Sequence, residues 1–434
     1  MARAMKDSGI PWIGKIPIEW DTIKLCYISE SIFLGRTPEY SEVPNSNQTI
    51  GQKNNQAYGI DLAGIKYSTD KHASECADSE YLKFGDILLN SLGTGSVGRI
   101  GYFNISGGRF LTDGHIIVIR PNKETNGKFI YYYLSTVRKQ LEDSAVGSTN
   151  QAFLTVPKIY KIRIPSTSKI EQKRIVEFLD TECARIDTVM EQTRASIEEY
   201  KKLKQSIITE AVTKGIRPNR PMKDSGIDWI GQIPADWKVT QLKRLCKIQT
   251  GSTPSKTDEG LYFSDNEGMP WIKAENLGTI LPIRQTSEYL TEEGTAVGRV
   301  FPPYTVYVCC IASVGKVGYS DIVCSCNQQI NGLVFNELYN WKYGFYVSVA
   351  QETEYNVKAS GNVMKIINTD KQSNIMCPLP SITEQQQIAA FLDEKCAQID
   401  KQMETKQRLI TELESYKKSL IYEYVTGKKE VSAS

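Results

Sequence analysis

The chain contains the same text twice. Residues 5–20 read MKDSGIPWIGKIPIEW and residues 222–237 read MKDSGIDWIGQIPADW. Further on, residues 165–213 align without a gap to residues 378–426, matching at Ser168/Ser381, Glu171/Glu384, Leu179/Leu392, Asp180/Asp393, Cys183/Cys396, Asp187/Asp400 and Met190/Met403, among others. A repeat of roughly 215 residues is far longer than a solenoid unit, so each copy is expected to be a domain followed by its own helix. Any fold for this chain must therefore build one architecture twice.

The helical segments are the most legible. One apolar seam runs Leu179, Cys183, Ile186, Met190, Thr193, Ile197, Tyr200, Lys204, Ile207, Ala211. The other runs Leu392, Cys396, Ile399, Met403, Lys406, Ile410, Leu413, Lys417, Leu420, Tyr424. Alternating steps of four and three over several heptads mark a coiled coil. Ser168-x-x-Glu171 and Ser381-x-x-Glu384 read as capping boxes, in which hydroxyl and carboxylate satisfy orphaned amides. Pro165 and Pro378 are expected to end the preceding strands, and Gly215 and Gly427 to end the helices. Neither helix buries its stripe alone, so an antiparallel intramolecular pair with pseudo-two-fold symmetry is predicted. Lys204, Lys417, Thr193 and Lys406 are expected to weaken its seam.

The remaining segments read as short strands: Asp86–Asn90, Ile100–Phe103, Ile116–Ile119 and Lys161–Ile164, then Thr305–Ile311, Val317–Ser320, Gly332–Phe335 and Ser373–Met376. An aromatic helix follows the third strand of each set (Phe129–Leu141 and Trp341–Thr353). Strands with a few helices imply α+β domains. The predicted division is 1–164 and 216–377 for the two globular domains, with 165–215 and 378–434 for the helices. Polar loops of different sequence (36–59 against 252–270, 144–152 against 358–366) suit two domains that bind different ligands with one framework.

Net charge is +2. The globular parts are slightly basic and the helices slightly acidic, which permits a nucleic-acid ligand without arguing for one. Ten cysteines in a chain this long read as reduced core thiols, and two histidines with no C-x-x-C spacing exclude an ordinary zinc site. No apolar run approaches the ~20 residues that span a bilayer, and the first residues lack a signal-peptide apolar region, so a cytoplasmic location is expected.

Several catalytic patterns fail on inspection. Gly93-Thr94-Gly95-Ser96-Val97-Gly98 matches a dinucleotide fingerprint, but a strand-like run follows where a helix must hold the phosphate. Phe301-Pro302-Pro303-Tyr304 mimics the amino-methyltransferase box with a phenylalanine that cannot bond the target amine. Gly315-Lys316 precedes valine, so no phosphate loop forms. What remains are loops of amides, hydroxyls and single cations. In the first domain they hold Arg36, Lys53, Asn54, Asn55, Ser91, Thr94, Ser96, Arg99, Ser148, Asn150 and Gln151. In the second they hold Ser252, Thr253, Ser255, Lys256, Lys273, Asn276, Ser313, Lys316, Gln328, Asn362 and Lys365. Arg and Lys pair with guanine, Asn and Gln with adenine, and hydroxyls with phosphate, so these residues are the candidate DNA contacts.

At this point the chain resembles the specificity (S) subunits of Type I restriction–modification enzymes. The resemblance rests on the two G-x-I-P-x-x-W openings, Gly251-Ser252-Thr253-Pro254, Pro270-Trp271-Ile272, Ser313-Val314-Gly315-Lys316-Val317-Gly318 and Asn327-Gln328-Gln329. Glu171-Gln172 and Glu384-Gln385 at the helix starts complete it. It covers nearly the whole chain in the order recognition domain, spacer helix, recognition domain, spacer helix. Departures sit in the first domain, at loop 36–59 and at Thr112-Asp113-Gly114-His115. The resemblance implies a non-catalytic DNA-binding subunit without a cofactor of its own, each domain reading half of a bipartite target in double-stranded DNA. Two modification (M) subunits would dock on it and use S-adenosylmethionine; restriction (R) subunits would add ATP- and Mg-dependent translocation and cleavage. The helices would set the spacer. The alternatives are a self-contained DNA methyltransferase or endonuclease, and a coiled-coil scaffold that binds no nucleic acid.

Overall fold

The computed structural model describes residues 3–56, 59–93, 95–145, 153–255, 259–361 and 364–431. It divides into two compact units, residues 1–192 with 409–434, and residues 193–408. Each unit thus holds one globular part and a piece of both long helices, Lys169–Lys214 and Ile382–Val425.

The first unit opens with a hairpin, Met5–Asp7 against Lys15–Pro17, made from the repeated motif. Its main sheet is antiparallel, in the order Ile100–Tyr102, Ile87–Asn90, Ile116–Pro121, Ser29–Leu34. A second four-stranded sheet contains a parallel pair, Asn47–Ile50 with Arg109–Thr112. The aromatic helix Gly127–Thr136 buries Phe129, Ile130 and Tyr133 against the main sheet and the long helix.

The second unit repeats this topology. Its main sheet runs Val317–Ser320, Thr305–Cys309, Ile330–Phe335, Cys246–Thr250, and its second sheet pairs Met269–Ile272 in parallel with Cys324–Cys326. The second sheets lie within or beside segments that the sequence presents as polar loops. The first of them carries buried polar groups that find partners nearby: Asn47 Nδ2 donates to Asp70, at the start of helix Asp70–Glu75, at 2.8 Å, and the Thr49 and Ser68 hydroxyls lie 2.7 Å apart. Two other expectations are corrected. Ser373 ends a helix, Thr369–Ser373, capped by Asn368, and the strand begins at Met376. Pro165 and Pro378 do not end strands; they sit inside two-stranded ladders, opposite Thr22 and Val239, where the lost N–H faces no second neighbour.

Within each unit the helices run antiparallel. In the first, Phe178 stacks on Tyr424 at 4.4 Å and Lys417 Nζ holds both oxygens of Asp187 at 2.6 Å. In the second, Lys204 Nζ holds Asp400 at 2.7 and 2.8 Å. Two of the three seam lysines are therefore paired with the aspartate that the repeat supplies, and the third, Lys406, lies over the Tyr200 ring at 5.6 Å.

The capping boxes form by half. Ser168 Oγ accepts from Glu171 N and Ser381 Oγ from Glu384 N. The carboxylates turn away from their own amides. Glu171 accepts from Trp20 Nε1 at 2.8 Å and Arg3 at 2.8 Å; Glu384 accepts from Trp237 Nε1 at 3.0 Å and is paired with Arg220. The neighbouring glutamines serve the aromatic helices: Gln172 accepts from Asn126 N and Gln385 from Asn340 N, the two N-cap residues. The Trp, Glu and Gln of the repeated motifs thus tie the opening hairpin and the aromatic helix to one helix start.

Candidate nucleic-acid interface

In each unit the turn leaving the first strand of the main sheet presses against the turn that follows the parallel strand of the second sheet. A Cβ on Gly35 would lie 2.3 Å from Asp113 O, and one on Gly251 2.3 Å from the carbonyls of Cys326 and Asn327. Only glycine permits this backbone-to-backbone approach. Both glycines open a G-x-T-P run, Gly35–Pro38 and Gly251–Pro254. That shared run is a signal in the sequence that loop 36–59 is less atypical than it reads.

In the second unit the two turns bring Ser252, Thr253 and Gln328 together. The Thr253 hydroxyl donates to the Gln328 side chain, and Gln328 is exposed. Ser252 Oγ accepts from Arg299 N at 2.7 Å, and the Arg299 guanidinium bonds Thr250 O. Arg299 is exposed and has no counterpart that the repeat announces, so sequence reasoning passed it by. In the first unit the position of Ser252 is taken by Arg36, whose Nε donates to Glu80 at 2.7 Å. Burial of Glu80 is only partial and Arg36 is half exposed.

A second cluster gathers at the hairpin turns 96–99 and 313–316. Arg99 Nη1 donates to Gln56 Oε1 at 3.0 Å and Asn55 O at 3.4 Å, and Lys316 Nζ donates to Ala274 O at 3.1 Å. Ser96 Oγ is engaged with Leu92 O and Gly93 O, whereas Ser313 is exposed. Turn 95–99 leads into the strand Ile100–Tyr102, as expected for a turn rather than a phosphate-binding helix start. Lys365 is exposed, and its carbonyl accepts from Ala312 N beside Ser313.

Other candidates are placed inside. Asn54 accepts from Gly51 N at 3.0 Å and donates to Asp61 O, and its counterpart Asn276 accepts from Lys273 N at 2.8 Å. Asn55 is fully buried and bonds Leu88 O and Asn90 Oδ1. Ser91 is buried and donates to His115 O. Asn54, Asn55 and Ser91 shape the turns from within, because a side chain facing the interior has no path to a groove, whereas Asn276 is part-exposed and holds its turn through that one bond. Lys273 lies over the Trp271 ring and pairs with Glu288 at 2.6 Å. Lys53 and Ser255 are exposed. Thr94, Ser148, Asn150, Gln151, Lys256 and Asn362 lie outside the described residues.

Burial holds several thiols in their neutral form. Burial pushes Cys324 up to about 11 and Cys310 and Cys377 to about 12, which disfavours the nucleophilic thiolate. Among the described residues no helix is long and apolar enough to cross a membrane.

Comparison with known proteins gives consistent relatives. The chain is 26% identical over 430 residues to a putative type I restriction enzyme MjaX specificity subunit of Methanocaldococcus jannaschii, covering 96% of this chain and 95% of that one. It is 25% identical over 336 residues to the MjaVIII specificity subunit of the same organism, covering 71% and 72%. A chain solved in work on complex assembly and conformational transition of the type I R-M system superposes with a TM-score of 0.72 at 17% identity, covering 95% of this chain and 99% of that chain, a likeness of fold. The model of the Type I restriction modification DNA specificity domain matches twice, at residues 17–199 and 234–415. With most of its length inside those two matches, the chain belongs to the Type I restriction–modification DNA specificity family.

Proposed function

We propose that this protein is the sequence-specific DNA-binding subunit of a Type I restriction–modification complex, each unit reading one half of a bipartite target. The observation that carries the reading is one topology built twice, with matching scaffolds and differing polar turns. A common framework with divergent turns suits two readers of different base sequences, since phosphate contacts position a protein and base contacts specify its site. The exposed candidates Arg36, Lys53, Ser255, Ser313, Gln328 and Lys365 face outward, where base edges would meet them; the part-buried Ser252, Thr253 and Lys273 lie beside them. The chain recognises and does not catalyse, the reading that its neutral thiols and amide-rich turns support. Methylation with S-adenosylmethionine and ATP- and Mg-dependent cleavage fall to modification and restriction subunits, two of the former, in the cytoplasm.

Replacing residues 238–377 with the matching segment of a relative tests this. Methylome sequencing of cells carrying the chimera is expected to show one half-site changed and the other kept. A change in both halves would show that the units do not read independently.

A further inference from the structure

Amid turns that differ, a second short run besides G-x-T-P is common to both units. Ser96–Tyr102 reads SVGRIGY and Ser313–Tyr319 reads SVGKVGY. The structure builds the two alike. Gly98 N donates to Asn90 O at 2.9 Å and Gly315 N to Cys309 O at 3.0 Å, and the residue after each closes onto the serine three positions back. Both glycines take positive φ, +75° and +89°, and both lie against the short helix that follows the aromatic one, Arg138–Ser144 or Glu352–Lys358, where a Cβ would meet Arg138 O or Glu352 O. Side chains of those helices brace the turns: Arg138 donates to Gly95 O and Asn356 to Val314 O. This places Arg99 and Lys316 at one position, each reaching over the turn that follows Asn47–Ile50 or Met269–Ile272.

Among the described residues, neither is ion-paired with a carboxylate. Arg36 and Lys273, by contrast, are ion-paired to Glu80 and Glu288. The partners of Arg99 and Lys316 are neutral amide oxygens, and each uses one nitrogen of a guanidinium or one N–H of three. A group that reads a base must differ where the half-sites differ. A group that grips the backbone meets the same phosphate whatever the sequence. Of the cations first read as guanine contacts, the pair that recurs therefore belongs to the backbone.

We propose that Arg99 and Lys316 each hold a DNA phosphate, one in each half-site, and contribute affinity without sequence preference. The proposal rests on the DNA-recognition reading above. It is tested on the full chain assembled with its modification subunits, measuring binding to target and scrambled duplexes across a salt series. R99Q and K316Q are each expected to make the slope of log K against log salt shallower by about 0.9, and the double variant by about twice that. Affinity should fall by the same factor on both duplexes, the methylated motif should stay as it was, and R99K and K316R should restore the slope. A variant that alters the methylated motif would make these residues base readers and overturn the assignment. An unchanged slope with a lowered melting temperature would also overturn it, reducing them to braces of the turn. Wild-type protein that binds both duplexes equally would remove the recognition reading itself, a result separable from either.

Discussion

Glu171 and Glu384 stand at the third helical position, where a carboxylate ordinarily reaches back to its own N-cap amide. Here each accepts an indole N–H from the tryptophan of the opening motif instead. That alternative exists only because the hairpin folds back onto the helix start, a contact across about 150 residues that no local pattern encodes. The two sites differ in exposure: the Glu384 side chain is 4% exposed and that of Glu171 25%. Removing a buried acceptor strands its donors, at about 1.5–3 kcal/mol when a charged group is involved. Glu384→Ala should therefore destabilise the protein by about 2–3 kcal/mol, and Glu171→Ala by less. Urea unfolding of both variants checks the ranking, and equal losses would contradict it. The same blindness affects the site: Asn54, Asn55 and Ser91 are residue types that contact DNA, yet they face inward, and residue type alone does not say which way a side chain points.

The helices show the opposite balance. Their period, starts and stops are local properties, and the structure places Lys169–Lys214 and Ile382–Val425 where the pattern predicts them. The seam lysines were legible as irregularities but not as contacts. Lys204 with Asp400 and Lys417 with Asp187 occupy equivalent places in the repeat, so one interaction is made once in each unit. A lysine on an apolar seam costs less where an aspartate meets it in a single register, and such pairs select that register over slipped ones. The pairs are partly exposed, which limits each to about 1 kcal/mol. Lys204→Asp should destabilise, and adding Asp400→Lys should recover most of the loss, more so at low salt. Additive losses in that double-mutant cycle would exclude a register role. Of the second sheets, only the run around Cys324–Cys326 reads in the sequence as a buried strand. Strands such as Asn47–Ile50 are short and lack clean alternation, and their buried polar side chains resemble loop composition until Asp70 and Ser68 arrive to pair with them.

Across the whole molecule, each long helix contributes to both units. If the helices set the spacer between half-sites, deleting one heptad from each should change the preferred spacer or abolish binding. Selection from a library of targets with randomised spacers measures this, and an unchanged spacer would refute it. The duplication, the α+β class and the helical seams follow from the sequence by itself, because repetition and periodicity are properties of the chain read in order. The tertiary structure alone decided which glutamates hold tryptophans, which amides are sealed inside, and which cations remain unpaired. Those outcomes depend on neighbours brought from distant positions, and burial is set by packing rather than by residue type.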